Sequence, residues 1–373
     1  WKLCVRNETP ELYDLDDDLG EQHNLAESHP KITQRLLDAW SAWEADVNRH
    51  WTRLSSGVDT SIRGLDAVDA EVCWFGTKGG VARTVDAGKS WQFTPIDEQL
   101  DFRDLEAFDA QRCIAMSAGP ERASRLYRTL DGGATWQLTY QNENADGFFN
   151  GMAFRDDQRG ILAGDPIDGR LFLLATDDGG ASWHRIAKDE APLMKAGEHA
   201  FAASGTHLAV NNQGHVWVTC GGTVARIFRS TNWGKTWQTF ETPMIAGTAS
   251  RGIFSIALSP DSTETAFAVG GDYKKETAFM DNGIHTNDSG TTWQHVRAAN
   301  GSAPFPFRSC IGYVNANTLV TVGPSGSNIP QDAGATWQAL GKDPGYHTLS
   351  IAGSAIWAAG SDGRLARLVL PYE

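Results

Sequence analysis

With 373 residues and a formal net charge of −14, the chain is long enough for a large core and too acidic for general binding to nucleic acid or an anionic membrane surface. Its 39 glycines and 14 tryptophans ask for many tight turns and large apolar wedges, and no apolar run approaches the length of a membrane-spanning helix.

The opening stretch differs from everything after it. Trp1–Arg6 reads as a strand and Pro10–Ala26 as an acidic loop. Ser28 is placed to cap a helix with Pro30 in its first turn, and Ile32, Leu36, Leu37, Trp40, Trp43 and Val47 then form one apolar stripe. The text Glu11-Leu-Tyr-Asp-Leu15, with Asp18, Glu21, Asn24 and Leu25 behind it, resembles the C-terminal tail of arylsulfatases. The resemblance spans residues 1–48 and departs at Leu19, where that family has Pro. It implies a strand, a loop and a last helix, but no sulfatase chemistry, because the Cys-x-Pro-x-Arg nucleophile region is absent. Since the chain opens with Trp1 inside this tail-like text, the expectation is a piece of a longer product in which a sulfatase domain precedes a propeller. Sulfatase relatives are usually exported, which points to the periplasm or outside.

From residue 84 onward one phrase, Ser/Thr-x-Asp-x-Gly-x-Thr/Ser-Trp, occurs six times. The copies carry Asp86 and Trp91, Asp131 and Trp136, Asp178 and Trp183, Asn232 and Trp237, Asp288 and Trp293, and Asp332 and Trp337. Spacings of 44–56 residues between successive third positions mean stacked supersecondary units. In each copy the Asp or Asn is expected to close an Asx turn, with the Gly after it at positive φ and the Trp opening the next strand as an anchor between sheets. The phrase resembles the Asp-box, or BNR repeat, of β-propellers, which implies a structural clip.

Three apolar runs precede each box and one follows it, as in Arg63–Val68, Val72–Phe75, Val81–Arg83 and Trp91–Thr94, so each unit has four strands. Thr348–Ile351, Ile356–Ala359 and Leu365–Leu370 supply three strands of a unit without a box, and Trp51–Val58 is the natural fourth. The expected fold is therefore all-β, a seven-bladed β-propeller over residues 51–373, preceded by the strand-loop-helix segment of residues 1–50.

In such a propeller the boxes occupy one face, and the strand openings nearest the axis share the other with the second hairpins of each unit. That face is the default binding surface. Its openings begin with Arg63, Arg103, Asn150, His199 (after Glu198), Arg251, Arg308 and His347. Converging guanidiniums offer paired planar donors to carboxylate or phosphate. Equally, each arginine can serve a neighbouring carbonyl or carboxylate such as Asp104 or Glu106. The hairpins add Asp165, Asp168, Asp272 and Tyr273, as acid/base partners or as counter-ions.

The stretches FFNGMAF, GDPIDGR, GEHAFAASGT, GIFS, GGDYKK, FRS and GPSGSN, between Phe148 and Asn328, resemble bacterial propellers of the photosystem II stability/assembly-factor type, also filed as "oxidoreductase-like". That resemblance implies a non-catalytic assembly module that binds a protein partner or an anionic ligand through an Arg-rich patch. It departs at Pro330, where a box has Ser/Thr, and at His199, where Ala is expected. No cofactor and no metal is expected: no GxGxxG opens a helix after a strand, and Cys4, Cys73, Cys113, Cys220 and Cys310 lack CxxC or Cys/His spacing. The rival reading is a propeller glycosidase. Sialidases clamp a carboxylate with three arginines and need a Tyr–Glu nucleophile pair, for which Tyr273 and Glu198 are the available residues. The Phe/Tyr-Arg-Ile-Pro signature of that family is missing, with Ser61-Ile-Arg-Gly64 in its place.

Overall fold

The computed structural model describes residues 1–6, 9–48, 51–330, 332–341 and 345–370, the side chains of 6, 41–48 and 369 excepted. The chain divides into two compact units, Trp1–His50 and Trp51–Glu373.

In the first unit, Lys2–Arg6 pairs antiparallel with Thr9–Tyr13, with Leu3 opposite Leu12. The second strand occupies the start of the expected loop. The remaining loop is held by its own side chains: Asn24 accepts the N–H groups of Leu12 and Ala26, and Asp18 accepts those of Gln22 and His23. The helix runs Pro30–Asn48. Ser28 does not cap it; its hydroxyl donates to the Leu25 carbonyl, and the first helical N–H groups reach the carbonyl of His29 instead. Of the apolar stripe, Ile32, Leu36 and Leu37 are half-buried and Trp40 is exposed, while the side chains of Trp43 and Val47 lie outside the described residues.

The second unit is an all-β propeller whose strands join into six sheets, so it has six blades where seven were expected. The difference lies in one strand. Gln92–Ala107 is unbroken for 16 residues, pairing with Cys73–Thr84 along its first half and with Cys113–Ser117 along its second. The first two repeats therefore share a single six-stranded sheet, Ile62 to Gln141. The physical cause is a missing glycine: Pro95 lies in the strand without ending it, the ladder shifting register there instead. The connections between later repeats contain Gly147, Gly197, Gly247, Gly301 or Gly341, whereas 92–107 contains no glycine to turn the chain. The other sheets span 149–185, 208–241, 310–339 and 348–369, together with 248–295, which also carries the short strips Glu198–His199 and Gly221–Gly222. Thr52–Ser55 pairs with Arg364–Val369, so the start of this unit completes its last sheet and leaves no free edge there.

Each repeated phrase folds the same way. Asp86 accepts the N–H of Ser90 at 2.9 Å and its hydroxyl at 2.6 Å, while the Thr84 hydroxyl donates to Asp86 and accepts the Gly88 N–H. The carboxylate thus caps a residue four positions on, rather than two as an Asx turn would. Two consecutive residues take positive φ, Ala87 at 62° and Gly88 at 82° in the first copy. These bonds hold the carboxyls of Asp86, Asp131 and Asp288 down at about 2, the hydroxyl donors Ser90, Thr135 and Thr292 contributing most. The last copy keeps the Asp332–Thr336 bonds but has Pro330 where the others place a hydroxyl. The second positive-φ position faces the preceding repeat: a methyl group on Gly88 would meet Leu54 at 2.7 Å, and one on Gly290 would meet Trp217 at the same distance. The terminal tryptophans meet neighbouring cores edge-on, Trp91 on Trp357 and Trp136 on Trp74, both with ring centroids 6.1 Å apart.

Around the axis, side chains join strands that do not share a ladder. Asp66 accepts the N–H of Ala107, Asp104 that of Met152, Ser255 that of Ile311 and Ser350 that of Ala67. Burial pushes the Asp66 carboxyl up to about 7 and those of Asp104 and Glu106 well above the usual range.

Candidate functional site

A cavity of about 260 Å³ opens where the inner strands begin. It gathers four of the residues singled out from the sequence: Arg63, Arg103, Tyr273 and His347. Arg63 lies in a bulge between Ile62 and Gly64, and Arg103 lies in the matching bulge between Phe102 and Asp104; both line the cavity. Arg103 is paired with Asp101 at 2.7 Å. The Arg63 guanidinium, half-buried, makes no hydrogen bond or ion pair among the described residues. Burial, and then the like charge of Arg103, press its pKa below the usual arginine value. His347 shares a hydrogen with Ser361 at 2.8 Å, and burial, reinforced by Arg63, pushes its imidazole down to about 4, so it is neutral at pH 7.

The opposite wall is aromatic. Phe201 stacks on Phe254 with centroids 3.7 Å apart, Phe307 meets Phe254 edge-on at 4.9 Å, and Tyr273 closes the row at 6.2 Å. These phenylalanines were not among the sequence candidates. The signal was present: each lies within three residues of a strand opening, in His199-Ala-Phe201, Arg251-Gly-Ile-Phe254 and Phe307-Arg308.

The remaining candidates are satisfied inside the protein. Arg251 is paired across the ladder with Asp272 at 3.0 Å, so these two form a local ion pair and not part of a ring of free arginines. Arg308 is buried, with bonds to Asn328 at 3.0 Å, to Ser325 and to the Phe307 carbonyl, and desolvation lowers its pKa to about 10. Asn150 donates to Asp165 at 2.8 Å, and burial raises the Asp165 carboxyl despite that bond and the nearby His199. The His199 ring packs on Phe201 and its Nδ1 lies 3.0 Å from the Ala200 carbonyl. Asp168, at a positive-φ turn, pairs with Lys188 on the surface and is not in the cavity lining.

Glu198 decides what chemistry is available. It is 2% exposed and held by Arg226 through two bonds, one of 2.9 Å, with Cys220 and the Lys195 N–H as further donors. A carboxylate so committed is not presented to a ligand, and it is not in the cavity lining with Tyr273. The Tyr–Glu pair of a sialidase-type mechanism is therefore not assembled. Among the described residues no group of three or more His, Cys, Asp or Glu side chains is arranged to hold a metal ion.

No family model and no curated protein matches the chain. Solved structures do. It is similar to YCF48 bound to D1 peptide, at 14% identity and TM-score 0.63 over 86% of this chain and 97% of that one. It is similar to YCF48 from Cyanidioschyzon merolae, at 14% identity and TM-score 0.61 over 86% and 99%. It is also similar to the Niastella koreensis GH74 enzyme, at 12% identity and TM-score 0.51 over 84% and 65%. Peptide binder and enzyme share this architecture, so the likeness establishes a β-propeller resembling YCF48, and the choice of function rests on the site.

Proposed function

We propose that the protein is a non-catalytic binding module that holds a segment of a partner protein at the mouth of its propeller. An anionic group of that segment meets Arg63 and Arg103, and an apolar side chain lies against Phe201, Phe254 and Phe307. The observation that carries this reading is Arg63, a partly desolvated guanidinium with no hydrogen bond or ion pair among the described residues, facing an aromatic wall. Asp101 acts on it only through space, and Glu276 also lines the cavity. The fold's likeness to YCF48, whose solved structure holds a D1 peptide, supports a peptide as occupant. The same reading takes the repeated phrases as Asp-box clips, residues 1–50 as a sulfatase-like tail, and residues 51–373 as the binding domain. The Arg-rich patch narrows from a ring to one pair, because Arg251 and Arg308 serve internal partners.

Fluorescence anisotropy with labelled peptides that place an acidic residue beside an aromatic one tests this, against neutral and scrambled peptides. Wild type is expected to bind the acidic-aromatic peptides preferentially. Arg63→Ala is expected to weaken binding about tenfold, the loss of ~1.4 kcal/mol, with Tm unchanged. Absence of saturable binding, or binding indifferent to Arg63→Ala, overturns the reading.

A further inference from the structure

A second site lies away from the channel mouth. Between the sheets of 149–185 and 208–241 is a groove of about 610 Å³. Its origin is a substitution in the repeat. In the first repeat Arg83 stands opposite Gln92 and donates to the Ala110 carbonyl of the next repeat; Arg229 stands opposite Gln238 and donates to the Ser289 carbonyl in the same way. The matching position in the third repeat, opposite His184, is Ala175. Where a long side chain bridges two repeats elsewhere, a methyl group leaves the space open.

The groove is lined by Arg155, Arg159, Arg185 and Lys235, four cations against the two acids Asp177 and Glu190, in a chain of net charge −14. Arg159 is paired with Asp156, and the Arg185 guanidinium lies over the Phe172 ring. Arg155 and Lys235 are exposed, and their side chains have no hydrogen bond or ion pair among the described residues. The groove is also lined by Trp233, half-buried, at the fourth position of its box. The other copies place Ala87, Gly132, Gly179, Ser289 and Ala333 there, all small, because the position takes positive φ. A tryptophan at φ 59° is strained backbone under a bulky side chain; part of the indole packs on the core around Ile161 and Ile186, and the remainder lines the groove.

We propose that this groove binds an acidic sugar, its ring against the Trp233 indole and its sulfate or carboxylate groups on Arg155, Arg185 and Lys235. A flat apolar face beside cations suits a ring that carries both an apolar face and anionic substituents. A long polyanion such as nucleic acid would extend beyond the groove along a chain of net charge −14 and be repelled.

The test is isothermal titration of the full chain with a heparin-type sulfated hexasaccharide, a hexagalacturonate, a neutral dextran oligomer and a single-stranded oligonucleotide. Saturable binding of the sulfated sugar, the uronate or both, without the dextran, is expected, and which of the two binds identifies the anion. Trp233→Ala is the key variant, because Ala occupies that position in the first and last boxes. It is expected to bind about tenfold more weakly while remaining folded, relief of the positive-φ strain offsetting the packing lost on the core, and Arg155→Ala to weaken binding with Tm unchanged. No binding of either acidic sugar, preference for the oligonucleotide, or full binding by both variants overturns the proposal.

Discussion

Removal of the Glu198 carboxylate separates a structural from a chemical role for that residue. The pair with Arg226 is buried, the two side chains being 0% and 9% exposed, and Glu198 also accepts the Lys195 N–H at 2.7 Å. Glu198→Ala would leave the guanidinium with the Leu193 carbonyl as its remaining acceptor among the described residues. Stripping one partner from a buried pair costs roughly 3–5 kcal/mol, because the other charge stays desolvated. At about 2 °C per kcal/mol for a unit of this size, Tm should fall by ~6–10 °C. Removing both charges in a Glu198→Leu/Arg226→Met variant should recover most of that loss, since no orphan charge remains. Urea denaturation at pH 7, with the slope compared between variants, measures each difference. A loss below ~1 kcal/mol for Glu198→Ala, or a double variant as unstable as the sum of the singles, refutes the argument.

Two further outcomes follow from groups around the axis. Arg308→Ala should lower stability by ~2–3 kcal/mol, because buried bonds from a charged donor to Asn328 and Ser325 are lost, while peptide binding by the folded protein stays unchanged. Loss of binding without a change in Tm would instead place Arg308 in the site. Asp66 supplies a pH dependence. Burial raises its carboxyl from 3.8 to about 7, so between those values the folded state holds a proton that the unfolded state has released. Its contribution to stability therefore falls as pH rises through that window. Asp66→Asn should reduce the fall in Tm between pH 4 and 7, Asp104 and Glu106 supplying the remainder, and melt above wild type at pH 8; coincident profiles for the two proteins would refute the assignment.

The turn chemistry was legible because it acts over a few residues: Thr84, Asp86, Gly88 and Ser90 close their own bonds, and the text around them repeats. The mouth was legible as an address but not as a set of contacts. Arg63-Gly-Leu and Arg251-Gly-Ile are nearly the same locally, yet only Arg251 finds a carboxylate. The reason is the facing strand, where Asp272 follows Gly271 but Thr77 follows Gly76. Reading each strand opening against the residue after the facing glycine would have found the difference. The number of blades was misread because the count assumed a break between the first two repeats, and no glycine is there to make one.

By itself the sequence determined the repeat, the turns that close each unit and the face on which strand openings gather, since all of these follow from local hydrogen bonding and period. Tertiary structure alone decided which charges are spent internally, as Glu198 and Arg251 are, and which face a cavity, as Arg63 does. Pairing of that kind depends on neighbours 20 or more residues away in sequence, placed within 3 Å by sheet register and burial, and no local pattern encodes it.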